Sequence, residues 1–343
     1  MPRRIGRTSR RRVHRRRHSA RVARLRGDSL SPLRFEGLEP RMLLAVNVFG
    51  VPNWVEQGPG PINNGNNVIG IPNQPQAGAT NAVAVDALNP NHVFAATVDG
   101  GIWRSDNFEA ASPLWTPLTD SLPGLAIGDI KFDPLDSSGN TIWAGSGNKS
   151  NDLGDSNPVM GVLKSTDDGN HWTQLGETTF SNLNIIRIVP TTVIDSGVGP
   201  GRGGQIVLVA TDGGLYQSDD AGVSWNLDSG ANGLPTGVVT DIAADSSNNL
   251  RYYSALPAQF GAMNAVTRNG GVFRGDLAAN GTITWTNVSA GIAGINNNVN
   301  VLVAVHNSAG NNIVNVATLD ATVVGGNVTA TPFAGVSRST NQG

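Results

Sequence analysis

Five tracts with one shared pattern constrain this chain more than any other feature. They are Gly101-Ile102-Trp103-Arg104-Ser105, Gly161-Val162-Leu163-Lys164-Ser165, Gly214-Leu215-Tyr216-Gln217-Ser218, Gly271-Val272-Phe273-Arg274-Gly275 and Gly335-Val336-Ser337-Arg338-Ser339, and their first residues lie 60, 53, 57 and 64 positions apart. Each runs glycine, apolar, large, polar, small, the alternation of a strand whose side chains point to opposite faces. A supersecondary unit repeated at this period buries its apolar face by stacking on its neighbours, as in a propeller or solenoid.

Two further apolar runs precede each tract: 127–132 and 141–144 in the second unit, 185–189 and 205–210 in the third, 238–243 and 251–255 in the fourth. A short run opening on Trp115, Trp172, Trp225 or Trp285 follows it. Four short strands per unit, parted by Gly/Asn/Asp/Pro turns, predict an all-β fold, a β-propeller of four-stranded antiparallel blades. The 43 glycines and 36 asparagines and the 15% charged content fit turns rather than helices. The absence of cysteine excludes a disulfide framework, a thiolate metal site and a cysteine nucleophile. No run of 18 apolar residues exists to span a membrane as a helix.

The fifth unit stops at Ser339-Thr340-Asn341-Gln342-Gly343, inside the hairpin that a tryptophan strand completes in the other units. The sequence therefore predicts about five blades over 45–343, the last incomplete, and a fragment of a longer protein. Asn53-Trp54-Val55-Glu56-Gln57-Gly58 reads as a fourth strand with no blade before it. Pairing of 53–57 with 335–340 would close the ring; an open arc is the expectation, because the missing tryptophan strand competes for that edge.

The net charge of −2 averages two opposite segments. Residues 1–44 hold 14 arginines against Asp28, Glu36 and Glu39, a sum of +11, and leave −13 for the remainder. Such a leader repels itself and buries nothing, which predicts disorder. A nucleic-acid arm is one use for it, but the acidic body opposes a polyanion and no aromatic residue interleaves the arginines to stack on bases. Leu38-Glu39-Pro40-Arg41-Met42-Leu43-Leu44 resembles the LEPR-XLL motif, which lies behind arginine-rich leaders of large bacterial proteins thought to be exported. That resemblance implies a secreted or cell-surface protein; the acidic body predicts no nucleic-acid partner, and the lack of a long apolar run predicts no transmembrane segment.

Ser165-Thr166-Asp167-Asp168-Gly169-Asn170-His171-Trp172 and Ser218-Asp219-Asp220-Ala221-Gly222-Val223-Ser224-Trp225 both fit S-x-D-x-G-x-x-W. Asp167 and Asp220 are placed to accept backbone N–H bonds that close a turn, Gly169 and Gly222 to supply positive φ, and Trp172 and Trp225 to pack between blades, largely buried. The motif, with Ser165 and Ser218 at its head, resembles the Asp-box (BNR) repeat of sialidase-type propellers. That superfamily also holds xyloglucanases, sortilin ectodomains and photosystem assembly factors. The first unit departs after Ser105-Asp106-Asn107, and the fourth reads Gly275-Asp276-Leu277.

The resemblance does not bring sialidase chemistry with it. The body has three tyrosines, Tyr216, Tyr252 and Tyr253, and lacks an Arg-Ile-Pro signature before its first box. Other glycoside hydrolases need two facing carboxylates. Asp129 and Asp241, at matching starts of inner strands, are the catalytic candidates; Asn300 takes the matching place in the fifth unit and favours a strand-capping role. Asp99 and Asp212, in Asp-Gly-Gly strings, sit near where xyloglucanases carry a catalytic Asp but at a spacing one residue short, and read as tight hairpins. The five histidines share no ligand spacing, the Asp/Asn clusters at 133–140 and 148–155 have no EF-hand spacing, and no metal or cofactor is predicted. Two long loops, 146–158 and 256–269, join second to third strands and so share one face. The sequence thus predicts a non-catalytic propeller module that binds protein or polysaccharide on a propeller face, with a glycoside hydrolase as the alternative.

Overall fold

The computed structural model describes residues 79–147, 159–308, 311–324 and 327–341. The chain separates into units 1–54 and 55–343, and every described residue lies in the second. The arginine-rich leader, Leu38–Leu44 and the Trp54 segment fall outside the described residues, and with them the pairing of 53–57 with 335–340.

The described residues form a β-propeller of antiparallel blades. Blade 1 contains β1 (Thr80–Val85), β2 (Val93–Thr97), β3 (Gly101–Ser105) and β4 (Thr116–Pro117). Blade 2 contains β5 (Ile127–Phe132), β6 (Ile142–Ser146), β7 (Val162–Ser165) and β8 (Thr173–Leu175). Blade 3 contains β9 (Ile185–Ile194), β10 (Gln205–Thr211), β11 (Gly214–Ser218) and β12 (Asn226–Leu227). In blade 4, β13 (Asp241–Asp245) and β14 (Asn248–Leu256) are followed by a small hairpin, β15 (Gln259–Phe260) with β16 (Val266–Arg268). β17 (Gly271–Leu277) and β18 (Ile283–Asn287) then complete it. Blade 5 has three strands among the described residues: β19 (Asn298–Ser308), β20 (Asn311–Val324) and β21 (Asn327–Ser339). β20 and β21, at 14 and 13 residues, are longer than the repeat predicts. The inner strands β1, β5, β9, β13 and β19 pack neighbour against neighbour in that order. Among the described residues no helix is long and apolar enough to cross a membrane.

The period of two along the second strands builds the core. In β10, Val207 and Val209 join Trp143 and Val162 of blade 2, while Ile206, Leu208 and Ala210 join Ile242, Tyr252 and Trp285 of blade 4. In β6, Ile142 and Ala144 face the blade 1 residues Phe94 and Ile102, and Trp143 faces blade 3. In β14, Tyr252 faces blade 3 and Tyr253 faces Val301, Val303 and Val314 of blade 5. A second strand is thus apolar on both faces, which is why these runs read as continuous hydrophobic stretches. Close approach needs glycine on β5: a Cβ on Gly128 would lie 1.9 Å from the Ile185 carbonyl oxygen of the next blade.

Both full boxes form the same turn. Ser165 Oγ donates to Asp167 Oδ1 (2.9 Å) and accepts from Gly169 N (2.8 Å), and Asp167 Oδ1 accepts from His171 N (2.8 Å). Ser218, Asp220, Gly222 and Ser224 repeat these bonds at 2.8 Å each. Gly169 and Gly222 take φ of 78° and 93°. Trp172 and Trp225 occupy equivalent places in successive blades, but they are half-buried rather than largely buried. Each directly precedes its blade's two- or three-residue outermost strand and packs, partly buried, against the inter-blade cluster.

The candidate site at the channel mouth

Asp129 and Asp241, the sequence's catalytic candidates, hold equivalent positions on β5 and β13, opposite Gly145 and Ala255. Their register continues to Val162 and Val272 on the third strands. By the same register the blade between them presents Arg187, opposite Ala210. Blade 5 presents Leu302 there, opposite Ala317, rather than Asn300. Asn300 pairs with Leu319, two positions before the place the sequence assigned to it.

Both carboxylates are buried, at 1% and 7% exposure. Asp129 Oδ1 accepts from Lys131 Nζ (2.7 Å) and its Oδ2 from Ile188 N of blade 3 (3.1 Å). Asp241 Oδ1 accepts from Arg187 Nε (3.0 Å) and its Oδ2 from Val303 N of blade 5 (2.9 Å). Each therefore ties its own inner strand to the inner strand of the following blade. Burial pushes the Asp241 carboxyl up from its ordinary value, with the Arg187 charge and the Val303 and Ile242 amides opposing the shift.

Two cavities flank Arg187. One of about 460 Å³ is lined by Lys131, Phe132, Arg187, Pro190, Asp241 and Val303, among others, with Asp241 its one carboxylate. The other, about 310 Å³, is lined by Asn81, Gly128, Ile185, Ile186, Arg187, Thr240, Asn300 and Leu302. Residues at the starts of inner strands lie opposite the ends of second strands, as Ile127 does Ser146, so this depression opens on the face that carries the second-to-third-strand loops. It is polar and holds no carboxylate. Asn81 Nδ2 donates to the Ile127 carbonyl (2.8 Å) and Thr240 Oγ1 to that of Val301 (2.7 Å). The buried Asn300 Oδ1 has no hydrogen-bond partner among the described residues. Asp129 lines neither cavity.

Other residues singled out from the sequence have structural places. Asp212 and Gly213 form a two-residue hairpin loop, with Asp212 accepting from Asn184 N (3.1 Å) and Nδ2 (2.8 Å). Asp99 lies in the corresponding β2–β3 loop at φ 63°. The 256–269 loop carries the β15–β16 hairpin, while residues 148–158 of the other long loop lie outside the described residues.

Sequence reasoning missed three features. Asn107 replaces the box aspartate in blade 1: Ser105 Oγ donates to its Oδ1 (3.3 Å), which accepts from Leu114 N (2.8 Å) beyond the insertion. Hydroxyls after the fourth strand cap the third: Ile102 N donates to Thr119 Oγ1, Leu215 N to Ser229 Oγ and Val272 N to Ser289 Oγ, at 2.8–3.0 Å. His92, Asp106 and Asp168 meet at the junction of blades 1 and 2, although they are remote along the chain.

No family model matches the chain, and no curated protein matches it. Solved structures do. The chain is similar to an ancestral GH74 enzyme, at 20% identity and TM-score 0.49, over 74% of this chain and 32% of that one. It is similar to the GH74 xyloglucanase of Xanthomonas campestris at 18% identity and TM-score 0.45, over 77% and 37%. It is also similar to an auxiliary nutrient binding protein of Bacteroides thetaiotaomicron at 11% identity and TM-score 0.42, over 74% and 57%. The chain spans about a third of the length of the two GH74 enzymes. The architecture itself rests on the chain's own strand pairing: β-sheets radiating from a shared set of inner strands, a β-propeller.

Proposed function

We propose that this chain is a non-catalytic propeller module of an exported protein, binding a protein or polysaccharide ligand at the channel mouth. One observation carries the reading: the mouth depression offers amides, a hydroxyl and a guanidinium, and no carboxylate pair. Asp129 and Asp241 are engaged in bonds to the following blade, so neither is poised as acid, base or nucleophile. The unpartnered acceptor Asn300 Oδ1 suits a ligand hydroxyl or amide N–H, because a buried acceptor gains most from a partner that replaces lost water. A depression of about 310 Å³ takes one sugar ring or one side chain, with the surrounding loop face supplying further contact. Export is supported by the leader with its LEPR-XLL-like segment.

The test pairs a binding screen with a turnover assay. The full chain is screened against immobilised polysaccharides and a peptide library, and the captured ligand is then titrated against Asn300→Ala. Saturable binding that weakens about tenfold in the variant supports the reading, since a hydrogen bond in a desolvated site is worth about 1–2 kcal/mol. Release of reducing ends from any of those polysaccharides, abolished in Asp129→Asn or Asp241→Asn, would establish the glycoside hydrolase instead.

A further inference from the structure

The junction of blades 1 and 2 gathers one histidine, three carboxylates and one guanidinium. His92 lies just before β2 and is 9% exposed. Its ring is held by Phe94 and Phe132, at centroid distances of 5.2 and 5.3 Å. Its Nδ1 lies 3.4 Å from Asp86 Oδ2. A carboxylate on Nδ1 fixes the tautomer in which that nitrogen carries the proton, leaving the Nε2 lone pair to face outward.

Nε2 faces Asp168 Oδ1 at 2.8 Å and Asp106 Oδ1 at 3.9 Å. Despite the short approach, neither His92 Nε2 nor Asp168 Oδ1 has a hydrogen-bond partner among the described residues. Arg104 engages the opposite oxygens, through Nε to Asp106 Oδ2 (3.2 Å) and Nη1 to Asp168 Oδ2 (2.7 Å). The two Oδ1 atoms are thereby turned toward the imidazole. With a neutral ring, three carboxylates against one guanidinium leave two negative charges in a partly desolvated place, where uncompensated charge is costly.

The two box turns isolate Asp168 as a residue the turn does not require. Its counterpart in the blade 3 box is Ala221, and both boxes make the same serine and aspartate bonds. Asp168 and Ala221 both take positive φ, 64° and 58°. The carboxylate at 168 therefore serves something other than the turn.

We propose that this junction binds one divalent transition-metal ion, with Zn²⁺ the best match, through His92 Nε2, Asp106 Oδ1 and Asp168 Oδ1. The three ligand atoms lie within 4.8 Å of one another. Tetrahedral zinc at about 2.0–2.2 Å from each needs them about 3.3 Å apart, so the His92–Asp168 contact opens and the Asp106 contact closes by about half an ångström. Asp106, with a side chain 61% exposed, leaves the fourth position open to water. Asp86 is the partner that orients the histidine, and Arg104 holds each carboxylate to one oxygen. The ligands come from both blades, so the ion fastens the junction.

The test uses the full chain without a polyhistidine tag, stripped with chelator and titrated with zinc sulfate by calorimetry, with thermal unfolding in parallel. We expect one site per chain and a melting temperature that rises by about 5 °C at a hundredfold excess of zinc over its Kd. Asp106→Asn, at an exposed position, should keep the metal-free melting temperature and lose affinity by about tenfold or more. Asp168→Ala should abolish the zinc-dependent rise, and His171→Ala should leave the zinc affinity unchanged. The absence of saturable zinc binding would overturn the proposal. Affinity unchanged in both Asp106→Asn and Asp168→Ala would overturn it equally, by placing the ion elsewhere.

Discussion

Replacing Asp228 with asparagine should stabilise the protein, and only above acid pH. Asp228 follows β12, beside Trp285 of the next blade, and among the described residues its buried Oδ2 meets no well-formed hydrogen bond, the Trp285 indole giving only a weak one. Burial, aided by the charge of Asp219 and opposed by the Trp285 indole, pushes its carboxyl from 3.8 up to about 6. The folded state therefore disfavours the ionised form. Below the unfolded value of 3.8 both states hold the proton and there is no penalty. As pH rises from there to about 6, the unfolded chain ionises while the folded chain resists, and stability is lost; above about 6 the loss is complete. At 1.36 kcal/mol per pKa unit the full loss is about 3 kcal/mol, which solvent access to this half-buried residue lowers to about 2. The asparagine side chain has nearly the same shape as aspartate and no charge at any pH. Urea unfolding followed by tryptophan fluorescence at pH 4, 5, 6 and 7 should show no gain for Asp228→Asn at pH 4 and a gain approaching about 2 kcal/mol at pH 7. A gain independent of pH, or none at pH 7, would refute the argument by showing that water or a donor reaches the carboxylate.

Asp129→Ala strips the acceptor from Ile188 N and the partner from Lys131, and should cost about 2–3 kcal/mol in chemical denaturation, the lysine being too exposed to add more. Trp225→Ala removes a half-buried ring stacked edge-on to Phe180 at 5.1 Å and should cost about 2–3 kcal/mol, below the range for a fully enclosed tryptophan. If Asn107 does the work of a box aspartate, Asn107→Ala and Asp220→Ala should lower the unfolding free energy from urea titration alike, each by about 1–2 kcal/mol; a silent Asn107→Ala would remove blade 1 from that pattern.

The architecture was legible because it is repeated. Ile127–Phe132, the five third strands and the two S-x-D-x-G-x-x-W turns could be placed from spacing alone, since each is fixed by local alternation or by bonds spanning four residues. What stayed hidden depends on partners a blade away. Nothing near Asp129 or Asp241 in the sequence announces Ile188 N or Val303 N as their hydrogen-bond donors, because both lie on the next blade. Asn107 was disguised by an insertion that moves its amide donor from the fourth residue onward to the seventh, Leu114. Leu302 takes the place the sequence gave to Asn300, because the cross-strand pairing that sets it opposite Ala317 leaves no mark in the asparagines at 296–298 and 300. The half-exposure of Trp172 and Trp225 follows from how short the strands behind them are, a length that composition does not set.

The two-sided second strands also decide what can be exchanged between such proteins. Val207 and Val209 complete a cluster begun in blade 2, and Ile206 and Leu208 complete one that ends in blade 4. A blade lifted out by recombination carries two unfinished half-cores, each cut to the contours of a neighbour left behind. A graft therefore has to match shapes on both flanks at once, whereas the loops between second and third strands, as at 257–270, can be traded under no such constraint. The loop is then the easier unit of exchange, and the blade seen in the fold the harder one.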